Sequence, residues 1–469
     1  MTVDRPQVAS TNDDEVRDDA RDASVGGRVL LLVGAVIVAM AAGIAFGNGS
    51  SRAAVLAPLV IAGAVGMAWL AMTRFLVFVA VILVLRASLD ALSFSSQGVD
   101  AFDPAALVSV GFLMAGAIWY AVQPREARVP LSPLVAPMAL LTVVGAVSTL
   151  LSPGAGAGLV DVMKLATVVV ILLVVNQLLQ DLRAARLLTI AVFASALIPL
   201  VVGGLQWLTH TGLHFSGEFG RVKSTFEHPN PLAIYLTFVI LMGVAMLPNV
   251  QRRLRPWILG IVAASGAVLL LTYTRSAWIA TLAGLLVIGY FYGRRAIAVV
   301  GLIAVVIMLT VPGVAGRFAD LDTADTATGE AANSLVWRFE YWREALELSD
   351  SPFLGEGLSA VRLEAAEAKS PHNDFIRVYV ETGIAGLVAY LWLLVAAVNV
   401  AGTGLLEVHT SPYRGLVVGF AGVLTAFLIL SLVSNVITQL VLLWYFATLA
   451  SLATAAPRLA ARDATPVPA

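Results

Sequence analysis

No cysteine occurs among the 469 residues, which excludes disulfides, thiolate nucleophiles and cysteine-based metal sites. Charge is scarce too: 13% of residues are Asp, Glu, Lys or Arg, against 59% hydrophobic. A soluble domain needs roughly 25% charge to coat its surface. Lysine occurs only as Lys164, Lys223 and Lys369. The net charge of −1 offers nothing to a polyanion, so no nucleic-acid partner is expected. Short alternating segments of about ten residues, the mark of a transmembrane barrel, are missing as well.

What the chain has is long apolar runs, and about 18 such residues suffice to span a bilayer. The runs fall at 29–46, 53–72, 75–92, 104–122, 134–151, 158–179, 187–208, 231–248, 257–274, 276–292, 296–312, 376–401, 414–432 and 437–454. They predict an all-α, polytopic transmembrane bundle of about 12–14 spans. Residues 1–28, rich in Asp, read as a disordered cytoplasmic tail rather than a signal peptide. Residues 29–312 and 376–454 hold the transmembrane helices, 313–375 one long external loop with short helices, and 455–469 a cytoplasmic tail.

Orientation follows from the basic residues of the short loops. One alternate set holds Arg74, Arg125, Arg128, Arg183, Arg186, Arg252, Arg253, Arg255, Arg294 and Arg295; the other holds Arg52, Arg221, Lys223 and Arg275. The first set is expected inside a bacterial cytoplasmic (inner) membrane. Arg221, Lys223, Arg275 and the histidine of the long loop, His372, then face the external, periplasmic side. In that loop Leu335, Phe339, Trp342 and Leu346 recur at helical spacing, which suits a helix lying at the interface with membrane lipids. Lys164 lies inside the sixth run, where charge is expensive; it either faces a cavity or pairs with Asp161.

Several short motifs share an order along the chain: Phe219-Gly220-Arg221 leading to Thr225-Phe226-Glu227-His228-Pro229-Asn230; Tyr273-Thr274-Arg275; Arg338 and Trp342 ahead of Pro352 and Gly355-Glu356-Gly357; Pro371-His372-Asn373-Asp374; and Glu381 with Gly383 and Gly386. In combination they resemble the O-antigen ligase and polymerase family of bacterial membrane glycosyltransferases. The resemblance implies a fold of the GT-C-like type. It also implies an undecaprenyl-diphosphate-linked glycan donor, transfer without nucleotide sugar, and a glycan, lipid or protein acceptor. With two outer cationic sites and one histidine base, no metal site is needed, and no metal or other cofactor is expected. By the same resemblance Arg221 and Arg275 match the donor diphosphate-binding arginines, and His372 matches the catalytic histidine that activates the acceptor hydroxyl. Lys223, His228, Asn230, Lys164, Arg338 and Asn373 are candidate supporting residues. Glu227-His228 departs from the family pattern, which leaves the role of His228 open.

The chemistry of these side chains points the same way. Arginine stays protonated and presents a planar fork to phosphate oxygens. Histidine, with an ordinary pKa of about 6.5, can take a proton from a sugar hydroxyl near neutral pH. Structural roles compete: Thr225–Asn230 also reads as a proline-bounded turn capping a helix, His372-Asn373 as a helix cap, and Arg275 as a lipid-headgroup anchor. Ligase and polymerase share these residues, and a lipid-linked oligosaccharide flippase or a solute transporter is the rival from another class.

Overall fold

The computed structural model describes residues 51–90, 104–152, 155–216, 219–299, 302, 335–364, 371–408 and 411–464. The expected tail 1–28, the helix 29–46, most of 296–312, the start of the external loop and the Arg338 side chain lie outside these residues. Within them run α1 (Ser51–Thr73), α2 (Phe75–Arg86), α3 (Pro104–Val122), α4 (Val135–Leu151), α5 (Ala155–Leu178), α6 (Leu182–Ala194) and α7 (Leu197–Thr209). A small hairpin, β1 (His214–Ser216) and β2 (Phe219–Arg221), precedes α8 (Pro229–Met246), α9 (Arg255–Leu271) and α10 (Arg275–Tyr292). The external loop carries α11 (Leu335–Glu347) and α12 (Ala360–Glu364). Three last helices follow, α13 (Asp374–Glu407), α14 (Arg414–Val433) and α15 (Leu440–Ala464).

Among the described residues eight helices are long and apolar enough to cross a membrane, α6 and α7 counting as one. Shorter apolar helices occupy four more of the predicted runs. The chain is therefore an all-α multi-pass membrane protein. The apolar run 187–208 breaks at Ser195–Ala196, where the Ser195 hydroxyl bonds the Val192 carbonyl and the Tyr235 hydroxyl. The expected C-terminal tail from 455 does not begin there: α15 continues through Pro457 to Ala464. Ala455, Ala456 and Leu459 are buried, and Arg458 donates to the Asn176 and Leu179 carbonyls.

Helix α8 is apolar on every face and lies in the middle of the bundle, as a helix without a polar side must. It packs on α9, α10 and α14. Lipid offers no hydrophobic drive between helices, so close backbone approach counts for more; Gly284 of α10 meets the Gly422 carbonyl of α14.

The two ends of the bundle differ. At one end, Arg128, Arg414 and Arg458 bond backbone carbonyls among the arginine-rich turns. At the other end the chain is drawn together by side-chain bonds between distant turns. Thr225 donates to the Ala87 carbonyl, Ser148 to the Glu381 carbonyl and Ser359 to the Asp161 carboxylate. There the segment 351–358 folds against the start of α13: Glu356 N and Gly357 N donate to the Val380 and Glu381 carbonyls, and Ile384 N and Ala385 N to those of Pro352 and Phe353. This interlock interrupts α13 at Gly383, whose φ is 64°.

A Cβ on Gly383 would overlap the Phe353 carbonyl in a left-handed backbone. Gly383→Ala should destabilise the protein by more than about 2 kcal/mol. Gly402→Ala, on the same helix with nothing within 4 Å of the new Cβ, should be neutral. Thermal unfolding of the two variants in detergent checks this.

Candidate functional site

The site is assembled at the second end of the bundle, where the β-hairpin returns toward α8. Antiparallel pairing sets His214 opposite Arg221. Beyond the hairpin, Val222 N donates to the Leu271 carbonyl, and Gln206 of α7 clamps the next turn through Lys223 N and Ser224 N. Arg221 is thereby carried inward until only 4% of it is exposed. Its Nε donates to the Thr272 carbonyl at 2.8 Å, and Nη2 donates to Asn230 Oδ1 at 2.7 Å and to Thr274 Oγ1 at 3.0 Å.

Thr274 is the residue before Arg275, so Arg221 anchors the turn from which Arg275 opens α10. Arg275 opens α10 and is half-buried. Asn230 belongs to the first turn of α8, whose N-cap is His228: the imidazole Nδ1 accepts from Asn230 N at 3.2 Å. The capping turn predicted for Thr225–Asn230 therefore exists, and the same residues also carry the candidate site. His228 packs edge-on against His214, ring centroids 4.4 Å apart. Burial, then Arg221, His214, His372 and Lys223, push the His228 imidazole down to about 3. Burial together with Arg221 and Lys223 also lowers His214. His372 is thus near enough to act on His228, which links the arginine pair to the histidine of the external loop.

His372 precedes α13 with φ 51°, a left-handed conformation. Ser224, Tyr273 and Ser359 share it; all three lie at this end of the bundle, where strained backbone is worth its cost only if the surroundings hold it. Asn373 is the N-cap, its side chain accepting from Phe375 N and Ile376 N. Capping therefore falls to Asn373 and leaves the imidazole for other contacts. Trp342 of α11 donates to the Pro371 carbonyl at 2.6 Å, bracing the loop just before the histidine. Asn435, in the break between α14 and α15, lies 3.3 Å from His372 Nδ1.

Lys164 belongs to a neighbouring group. Its Nζ lies 2.7 Å from Asp161, whose carboxylate also approaches Arg377 at 3.9 Å; Arg377 in turn holds Glu381 at 3.1 Å. Of the two sequence alternatives for Lys164, the pairing with Asp161 is present; the side chain also lines a small pocket with Leu358, Val378, Glu381 and Thr438. His210 is exposed at the end of α7, apart from the site.

The sequence reading missed Asn435, Gln206, Thr272, Thr274, Arg377 and the hairpin. Asn435 sits in a short polar break, Ser434-Asn435, between two apolar runs, a signal that was available. The others act through contacts between segments distant in sequence, which residue type does not announce.

Residues 260–391 match the family model described as O-Antigen ligase. The match includes Arg275 and His372 and leaves Arg221, His228 and Asn435 outside it. No curated protein matches the chain. Over residues 260–391, which hold Arg275 and His372, the chain is similar to the O-antigen ligase family.

Proposed function

We propose that this protein transfers a glycan from an undecaprenyl-diphosphate donor to an acceptor hydroxyl at the external face of the cytoplasmic membrane. The observation that carries the reading is the buried Arg221, bonded to Thr274 in the turn from which Arg275 opens α10. Two permanently charged groups held this way suit a diphosphate that gains negative charge as the anomeric bond breaks. Because Thr272, Asn230 and Thr274 orient Arg221, no reorganisation is needed when the charge develops. The sidedness rests on charge: the arginine-rich turns gather at the opposite end of the bundle, the arrangement expected of cytoplasmic loops.

His372 is the base of the proposed reaction. His228 is a poor candidate for that role, since its Nδ1 is occupied by the cap and its imidazole, pushed down to about 3, is too weak a base for a sugar hydroxyl. A ligase and a polymerase would share this machinery and differ in the acceptor.

Replacing Arg275 by Ala should lower transfer about 10²- to 10³-fold, and His372→Ala should lower it about 10²-fold or more. Both are scored as high-molecular-weight surface glycan at matched protein level; normal glycan in both variants would end the proposal. In liposomes, translocation of the lipid-linked donor without transfer would identify a flippase instead.

His228 also gives a pH prediction. Its folded pKa lies below that of the unfolded chain, so between about pH 6.5 and 3 the unfolded state binds the extra proton. Stability then rises with pH across that window and is lost as pH falls. His228→Asn keeps a capping acceptor and should flatten this dependence in detergent melts. Because His228 is already neutral near pH 7, the acidic limb of the transfer rate should stay where it is.

A further inference from the structure

We infer that Asn435 is the positioning residue of His372: its amide oxygen accepts the imidazole Nδ1–H, which leaves Nε2 unprotonated for the acceptor hydroxyl. The inference rests on the proposal that His372 is the base.

The amide lies 3.3 Å from Nδ1 with its nitrogen toward the ring, while its oxygen is buried without a hydrogen-bond partner. Oxygen and nitrogen of an amide are interchangeable by a half-turn, and the hydrogen-bond network decides between them. With nitrogen toward the ring, Nδ1 must accept; the proton then resides on Nε2, and the imidazole can take nothing from a hydroxyl there. With oxygen toward the ring, Nδ1 donates and Nε2 carries a lone pair in place of a proton. Only the second arrangement is compatible with base chemistry at Nε2. In it, the acceptor hydroxyl passes its proton to Nε2, and the oxygen's electron pair forms the new bond to the anomeric carbon. The old carbon–oxygen pair leaves with the diphosphate. Asn435 Oδ1 faces the positive charge that appears on the ring, which is then discharged by proton loss to the leaving diphosphate or to water.

The loop that carries Asn435 is held in register with His372. Two residues past the histidine, Asp374 accepts from Ile437 N at 3.2 Å, and Ile437 is two residues past the asparagine. Asp374 is itself held by the Tyr390 hydroxyl, which also bonds Ser431 at the end of α14. Thr438 donates to the Asn435 carbonyl at 3.1 Å. His372 has a left-handed backbone, and its ring lies against this loop at Asn435. Among the described residues, His228 on the cap of α8, itself beside Arg221 and Lys223, interacts with His372, and Asp374 lies two residues on, at the start of α13. A change at 435 alters none of them.

The experiment is transfer by the full-length chain in liposomes, with lipid-linked donor and acceptor extracted from the host's own membranes, measured for kcat and donor KM across pH. Asn435→Ala should lower kcat about tenfold or more, with donor KM within about twofold. Asn435→Asp, nearly isosteric and therefore the safeguard should the alanine variant misfold, places a carboxylate on Nδ1–H. It should retain activity and move the acidic limb up by about one pH unit. An aspartate variant whose pH profile superimposes on that of the native protein would overturn the inference, as would an alanine variant of normal kcat. Should His372→Ala be inactive while both Asn435 variants behave as native, only the positioning role fails. Full activity in His372→Ala would remove the base itself, and this inference with it.

Discussion

The charged end of this bundle depends on one buried guanidinium. Arg221 cannot shed its proton to escape burial, so its charge has to be met by oriented dipoles. The Thr272 carbonyl, Asn230 Oδ1 and Thr274 Oγ1 supply them, and each comes from a different piece of chain: the end of α9, the start of α8, and the turn into α10. The hairpin is positioned by the same contact, since β2 ends at Arg221. A single side chain therefore sets the relation of four segments, and the cost of burying it is met only when all of them are in place. That is why the arginine pair and the His228 cap share one geometry rather than two independent ones.

A second group of charges does similar work nearby. Arg377 and Lys164 are matched by Asp161 and Glu381, two cations against two anions, so the buried group is neutral as a whole. A balanced group contributes little net stability but is costly to leave half-paired, and so it specifies which elements must meet. Here it joins α5 to α13 and, through Ser359, to the external loop. The backbone interlock at Gly355 and Gly383 and the Trp342–Pro371 bond extend that order to His372. Rigid support on several sides is what a residue held in a left-handed conformation requires.

Much of this could be read from the chain alone, for identifiable reasons. Span positions were legible because the lipid environment forces long apolar runs, and the described helices begin or end near the predicted runs. Arg221, Arg275 and His372 stood out because basic residues were isolated in loops that otherwise carry few. What was not legible depends on contacts made across the fold. The break at Ser195 relies on Tyr235 of α8. The extension of α15 past Pro457 depends on Arg458 reaching carbonyls of α5 and the turn after it. No local pattern in the sequence encodes such partners. Glu227-His228 looked like a departure from a motif; in the fold, His228 is a helix cap whose imidazole nitrogen takes the place of a side-chain oxygen.

The Thr272, Asn230 and Thr274 oxygens that hold the Arg221 guanidinium are neutral, and they orient it. His214 and His228 are both lowered by burial first and, after it, by the positive charges of Arg221 and Lys223. The part of that shift owed to Arg221 and Lys223 would favour an anion in the same place, because the Coulombic interaction has opposite sign for a proton and for a phosphate. In the proposed reaction the diphosphate is bound as an anion and leaves as a more negative one, so the field that attracts the donor is strongest for the state that departs. Fixing that charge in the protein rather than in a mobile counterion keeps its direction constant as the glycosidic bond breaks. The depressed histidines and the arginine pair are then two expressions of one electrostatic arrangement, built before any substrate arrives.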